Sequence, residues 1–166
     1  MPNFENSART YSFIVVLFCL GAFATAFAAQ YLAGLLPCVL CIYQRYAYGA
    51  ALAAGLAGLA LAGKRRAAGL CLSLAGLSFL AGSAIAAFHA GVERKWWRGT
   101  EGCHAPEIDP SLSVEEMKDL LLDRPFVACD EVPWELFGIS IAGYNFLAML
   151  AFALFSFWAV RRLRDG

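Results

Sequence analysis

Apolar residues run along this chain in long, nearly unbroken stretches, without the alternation of a half-buried strand. Between Tyr11 and Gly63 the only charged side chain is Arg45; Ala67–Val92 carries none, and neither does Leu136–Val160. An apolar run of about 18 or more residues reads as a membrane span, because about 20 residues rising 1.5 Å each cross the hydrocarbon core. Four spans are predicted, at about Tyr11–Tyr31, Ile42–Ala62, Ala67–Ala90 and Phe137–Val160. Backbone groups in lipid must bond internally, so the spans are helices, and the alternating polarity of a β-barrel is absent. The expected fold is an all-α membrane protein. It is a four-helix transmembrane bundle forming one membrane domain over residues 1–166, with outward loops at 32–41 and 91–136. Small residues crowd spans two and three, including Ala53-Ala54-Gly55, Gly58, Gly76 and Ala81-Gly82-Ser83-Ala84. They reflect either plain composition or close helix approach in lipid.

Two segments need separate treatment. Arg9, an apolar stretch and Ala26-Phe27-Ala28 together mimic a cleavable signal. The apolar stretch continues to Leu36, broken only by Gln30, which exceeds the ~7–15 residues of a signal core and favours a retained span. Within the long loop, Ser113-Val114-Glu115-Glu116 reads as a capping box. Val114, Met117, Leu120 and Leu121 follow at helical spacing, and Pro125 ends the pattern. A short amphipathic helix over about Ser113–Asp123 is predicted, either on the membrane surface or packed on its own loop.

Composition agrees with the pattern. Hydrophobic residues make up 60% and charged residues 16%, against about 45–50% and 25% in soluble domains. Net charge is zero, so no basic face advertises nucleic acid. A soluble enzyme, a disordered chain and a secreted disulfide scaffold all fit poorly. Orientation follows from short-loop Lys and Arg. Lys64-Arg65-Arg66, the Arg161/Arg162/Arg164 tail and Arg9 fall on one side of an even number of spans, the cytoplasmic side. The acidic 91–136 loop then faces outward.

The six cysteines sort by depth. Cys19 and Cys71 lie toward the cytoplasmic half. Cys19 is about 28 Å along a helix from Cys38, beyond disulfide reach, so both are expected to pack as small apolar residues. Cys38-Val39-Leu40-Cys41 is a C-x-x-C at the outward mouth of span two, on the oxidising side. A helix start favours a thiolate there. Arg45, four residues after Cys41, lies one turn deeper on the same face. An intramembrane charge is costly and marks either a functional position or a side chain that snorkels to the headgroups; the C-x-x-C one turn away favours function. Cys103 and Cys129 bracket the acidic loop. They suit a structural staple worth about 2–4 kcal/mol, a relay of two exchanging disulfides, or zinc ligands with Cys38, Cys41 and His104. Cys103, between Gly102, His104 and Ala105, is expected to be flexible and reachable. His89 ends span three near the same surface, either as an interfacial residue or as a donor to a polar ligand head.

Leu36-Pro37-Cys38-Val39-Leu40-Cys41-Ile42-Tyr43-Gln44-Arg45 resembles the signature of the disulfide bond formation protein B (DsbB) family. The four-span layout, the Cys103/Cys129 pair and Trp134-Glu135-Leu136-Phe137-Gly138 before span four are similar too, so the resemblance covers nearly the whole chain. It implies a bacterial inner-membrane thiol oxidase with periplasmic loops and both termini cytoplasmic. Such an enzyme reoxidises a soluble DsbA-type thioredoxin-like oxidant and reduces a membrane quinone, the established relay of the bacterial periplasm. It also implies roles. Cys103 forms the mixed disulfide with the partner; Cys129 pairs with Cys103 at rest and then contacts Cys38. Cys41 meets the quinone, ubiquinone or menaquinone, supported by Arg45, with His89 at the quinone-side histidine position. Cys19 and Cys71 fall outside the family pattern, and Gln44 takes no role from it. No metal is implied. The rival readings are a quinone-linked reductase similar to vitamin K epoxide reductase, a four-span scaffold with a structural loop disulfide, and a metal-binding membrane protein.

Overall fold

The computed structural model describes residues 2–103, 113 and 127–165. Its helices are α1 (Pro2–Tyr31), α2 (Val39–Ala60), α3 (Arg65–Glu93) and α4 (Ile141–Asp165). A two-stranded hairpin, β1 (Glu135–Leu136) with β2 (Ile139–Ser140), precedes α4. Phe4–Tyr31, Arg65–Glu93 and Ile141–Asp165 are long and apolar enough to cross a membrane. Gln44 and Arg45 lower the hydropathy of α2, but its 22 residues suffice in length, and it packs between α1 and α3. The result is an all-α membrane bundle of four helices. Leu17, Leu20, Leu70, Leu74, Leu77 and Leu154 point outward from it, as lipid-facing side chains do.

Two boundaries differ from the hydropathy reading. Helix α2 begins at Val39 rather than Ile42, because Cys38 caps it: its sulfur accepts from the Cys41 N–H. Helix α4 begins at Ile141 rather than Phe137. Phe137 and Gly138 adopt φ of 51° and 72°, the tight turn that closes the β1–β2 hairpin. Apolar content alone cannot distinguish such a turn from helix. The predicted Ser113–Asp123 helix lies, apart from Ser113, outside the described residues.

Helix α1 ends in a left-handed cap. Gly34 sits at φ 69°, and the Leu35 N–H reaches back to the Ala29 carbonyl at 3.0 Å. This turn aims Pro37-Cys38 at the start of α2. Small residues do set helix approach here. A Cβ on Gly82 would lie 2.5 Å from Met149 Sδ and 2.8 Å from Ala47 Cβ; one on Gly58 would lie 2.5 Å from Ser12 Oγ. The core centres on Phe79, ringed by Phe18, Tyr48 and Phe152. Cys19 and Cys71 are buried without disulfide partners, as expected of packing residues.

Helix α1 touches α4 only sparsely, whereas α3 packs closely on both α2 and α4. The Phe18 and Phe152 rings stack at a centroid distance of 3.4 Å. Beyond that contact, toward the Cys38 end, α1 and α4 line opposite sides of a cavity of about 890 Å³.

Candidate functional site

The site is assembled where the α2 N-terminus meets the end of α3. Cys38 and Cys41 are one helical turn apart, with sulfurs 3.2 Å from each other. His89, near the end of α3, brings Nε2 to 3.5 Å from the Cys38 sulfur. Hydrogen bonding from the Cys41 thiol, and then from His89, holds the Cys38 thiol well below its ordinary pKa despite burial. Its position at the positive end of α2 acts in the same direction. Cys38 is therefore the better nucleophile of the two, since exchange proceeds through the thiolate.

Behind His89 runs a buried amide chain. Tyr48 OH donates to Asn145 Oδ1 at 2.6 Å, Asn145 Nδ2 donates to Gln44 Oε1, and Gln44 Nε2 lies 3.2 Å from His89 Nδ1. On the other side, Glu93 Oε1 is 3.9 Å from His89 Nε2, and Ser140 donates to Glu93 Oε2. Sequence reasoning missed Glu93, Asn145 and Ser140, and offered Gln44 and Tyr48 only as pocket or interfacial-belt residues without a specific role. The available signal was weak: an amide one residue before Arg45, and an acid four residues after His89.

Cys103 and Cys129 form a disulfide with Cα atoms 5.0 Å apart. It packs directly on Cys38, Leu40 and Val92, and the Cys129 main chain hydrogen-bonds with His89. Cys38, Cys41 and the Cys129 main chain therefore gather around one imidazole, with Cys103 bonded to Cys129 behind them. The expectation that Cys103 is freely reachable is corrected: it is 2% exposed. A short 3-10 turn, Glu101–Cys103, seats it over Gly99 and beside Val39. Trp97 anchors the approach to that turn by stacking on Phe88 and donating to its carbonyl at 2.9 Å.

Arg45 lies on the same cavity wall as Cys41, as its spacing requires. Its guanidinium donates to Gln30 Oε1 at 2.7 Å and to the Ala26 carbonyl at 3.4 Å, and it sits over the Phe27 ring. Its charge is thus solvated by α1 within the bundle. The cavity wall otherwise comprises small α1 residues such as Gly21, Ala22 and Ala26, with Trp134 and Leu136 from the hairpin segment. Arg94 donates to the Gly138 carbonyl and Tyr144 to the Leu136 carbonyl, fixing that segment to α3 and α4.

The four-cysteine zinc set is excluded in this state because Cys103 and Cys129 are bonded to each other; His104 lies outside the described residues. Cys38, Cys41 and His89 still bring ligand atoms within 4.8 Å of one another.

A helical membrane bundle with a loop disulfide seated on a capped, thiolate-favouring C-x-x-C defines a membrane thiol–disulfide oxidoreductase. The family profile described as disulfide bond formation protein DsbB matches residues 8–159. A disulfide bond formation protein B of Azoarcus sp. (strain BH72) is 33% identical, covering 99% of this chain and all of the relative. That of Aromatoleum aromaticum is 31% identical over the full length of both. A Rickettsia prowazekii protein described as uncharacterized is 24% identical over 91% of this chain and 87% of its own. The chain belongs to the DsbB family and is a membrane protein of disulfide bond formation.

Proposed function

We propose that this protein is an inner-membrane thiol oxidase that reoxidises a periplasmic DsbA-type dithiol and passes the electrons to a membrane quinone. The observation that carries this reading is the placement of the two cysteine pairs. The loop disulfide packs on Cys38, while Cys41 lines the apolar cavity between α1 and α4. Electrons can enter at the water-facing loop and leave at the hydrocarbon edge.

The cavity fits the head of an apolar carrier. Its volume is within the ~300–1,000 Å³ of small-molecule sites, and its lining is apolar apart from a few groups that include Arg45, Gln44 and His89. Arg45 and His89 would hold the carbonyl oxygens of a quinone, which supplies a two-electron acceptor soluble in the bilayer. The chain's own residues do the rest. With the inner pair oxidised, the Cys129 thiolate released when the partner opens the loop disulfide attacks Cys38, and Cys41 leaves as a thiolate. Cys103 then displaces Cys38 from Cys129 to re-form the loop disulfide, and His89 holds the proton beside Cys38. Cys103 receives the partner's thiolate, which requires the loop to lift from α2 first. A strongly oxidising partner, at about −120 mV for DsbA, needs a still better sink, and a quinone supplies one.

Purified protein supplied with a reduced DsbA-type partner and a soluble quinone should oxidise the partner catalytically and reduce the quinone in equal amount. Intact disulfides with no quinone consumption would instead support the scaffold reading.

The proposed orientation places both termini and residues 64–66 in the cytoplasm. Reporter fusions after Gly63 and Thr100 should give opposite signals in a topology assay. Identical signals would overturn the orientation and, with it, the oxidising environment assigned to the cysteines.

A further inference from the structure

Among the described residues Glu93 is the one acidic side chain that is buried, at 7% exposure. Among the described residues no Arg or Lys forms a salt bridge with it. Its neighbour Arg94 is turned to the Gly138 carbonyl. The charged and titratable groups facing Glu93 are His89 and Arg94 on its own helix and Cys38 at the cap of α2; from the hairpin it receives only the Ser140 hydroxyl. It also lines the cavity that Cys41 lines. A buried carboxylate supported by one hydroxyl and one imidazole is costly as an anion.

The amide chain determines which nitrogen of His89 carries hydrogen. The phenolic hydrogen of Tyr48 has an acceptor, Asn145 Oδ1, only if the chain runs Tyr48 to Asn145 to Gln44 to His89. Gln44 then donates to Nδ1, leaving the hydrogen on Nε2. That N–H faces the Cys38 sulfur at 3.5 Å and Glu93 Oε1 at 3.9 Å. Two anions around one neutral imidazole repel each other, so one of the two sites keeps a proton. The sulfur is the better anion site because it has the Cys41 N–H, the Cys41 thiol and the helix N-terminus around it.

Resting on the quinone-reducing reading above, we propose that Glu93 is the proton station of the inner cysteine pair, holding the proton that Cys38 gives up as a thiolate and releasing it toward the quinone when the dithiol is oxidised, with the His89 Nε2–H placed between the two sites. The step balances. In the reduced pair, Cys38 is a thiolate, Cys41 a thiol and Glu93 a carboxylic acid. Oxidation forms the Cys38–Cys41 bond and breaks the Cys41 S–H bond. Two electrons leave for the quinone, and two protons go with them, one from Cys41 and one from Glu93, which lines the same cavity. Glu93 is left as a carboxylate beside His89. It touches neither sulfur, faces the His89 Nε2–H that Cys38 also faces, and is a positioning and proton-holding residue.

The test is infrared difference spectroscopy on the purified, quinone-free full chain, reduced minus oxidised. Reduction should produce the C=O stretch of a protonated carboxylic acid, shifted in D2O and absent in Glu93→Gln. That variant keeps the size of the side chain and an acceptor for Ser140. Ser140→Ala, with Glu93 retained, should move the band to higher frequency because a hydrogen bond to the acid is lost. In turnover with quinone, Glu93→Gln should lower the rate about a hundredfold, most strongly at alkaline pH, and Glu93→Asp should restore part of it. No band in the parent protein, or a band unchanged by Glu93→Gln, would overturn the proposal. A band that behaves as expected in a protein that never reduces quinone would uphold the proton station and defeat the functional reading.

Discussion

Gly21→Leu should leave the protein folded and able to exchange disulfides stoichiometrically, while quinone-linked turnover falls about a hundredfold or more. Gly21 lines the cavity from α1, and a Cβ built on it meets nothing within 4 Å. A leucine side chain can therefore extend into the space assigned to the quinone without a clash at its base. Leucine favours helix over glycine by ~1 kcal/mol, so destabilisation does not explain a loss of activity. Displacing a reactant by about 1 Å is enough to cost about a hundredfold. Gly49→Leu is the matched control: its Cβ also meets open space, but the residue is not part of the cavity wall. The measurement is quinone reduction rate against quinone concentration for both variants, with thermal unfolding recorded alongside. Full turnover in Gly21→Leu would rule out the α1–α4 cavity as the quinone site.

Cys41→Ala should abolish turnover and accumulate a new intramolecular disulfide between Cys38 and Cys129. With its resolving thiol gone, Cys38 keeps the His89 contact at 3.5 Å and remains packed on the loop disulfide. Its thiolate attacks the Cys129 sulfur, the Cys103–Cys129 bond breaks, and Cys103 leaves as a thiolate. Cys129 is favoured over Cys103 because its main chain is already held by His89 and because few residues separate it from α4. Peptide mapping under non-reducing conditions should recover the Cys38–Cys129 link, with Cys103 newly open to alkylation. A predominant Cys38–Cys103 link would reverse the proposed direction of electron flow through the loop.

Both predictions draw on residues of unequal visibility. Membrane class, the approximate span positions and the candidacy of Cys38, Cys41 and Arg45 follow from the sequence alone. Each is a statement about composition along the chain: a bilayer tolerates long uncharged runs, a lone internal charge stands out, and a C-x-x-C at a span mouth has few uses. The packing role of Cys19 and Cys71 is equally local, because a helix separates them from any partner by a known rise per residue.

What the tertiary structure decided depends on how helices rotate and approach. Hydropathy averages over a window, so it extended span four through Phe137-Gly138, where two positive φ angles make a turn. It also missed that Cys38 caps α2. Flanking residues suggested an open segment at Cys103, but that disulfide is buried by Leu40 and Val92 from two helices. Gln44, Asn145 and Tyr48 are ordinary polar residues in the sequence. They become one directional hydrogen-bond chain only because α2 and α4 turn the same faces toward α3. Glu93 is the clearest case. In the chain it is one more acid at the edge of a charged loop; in the fold, Ser140 and His89 close around it and bury it beside the inner cysteine pair.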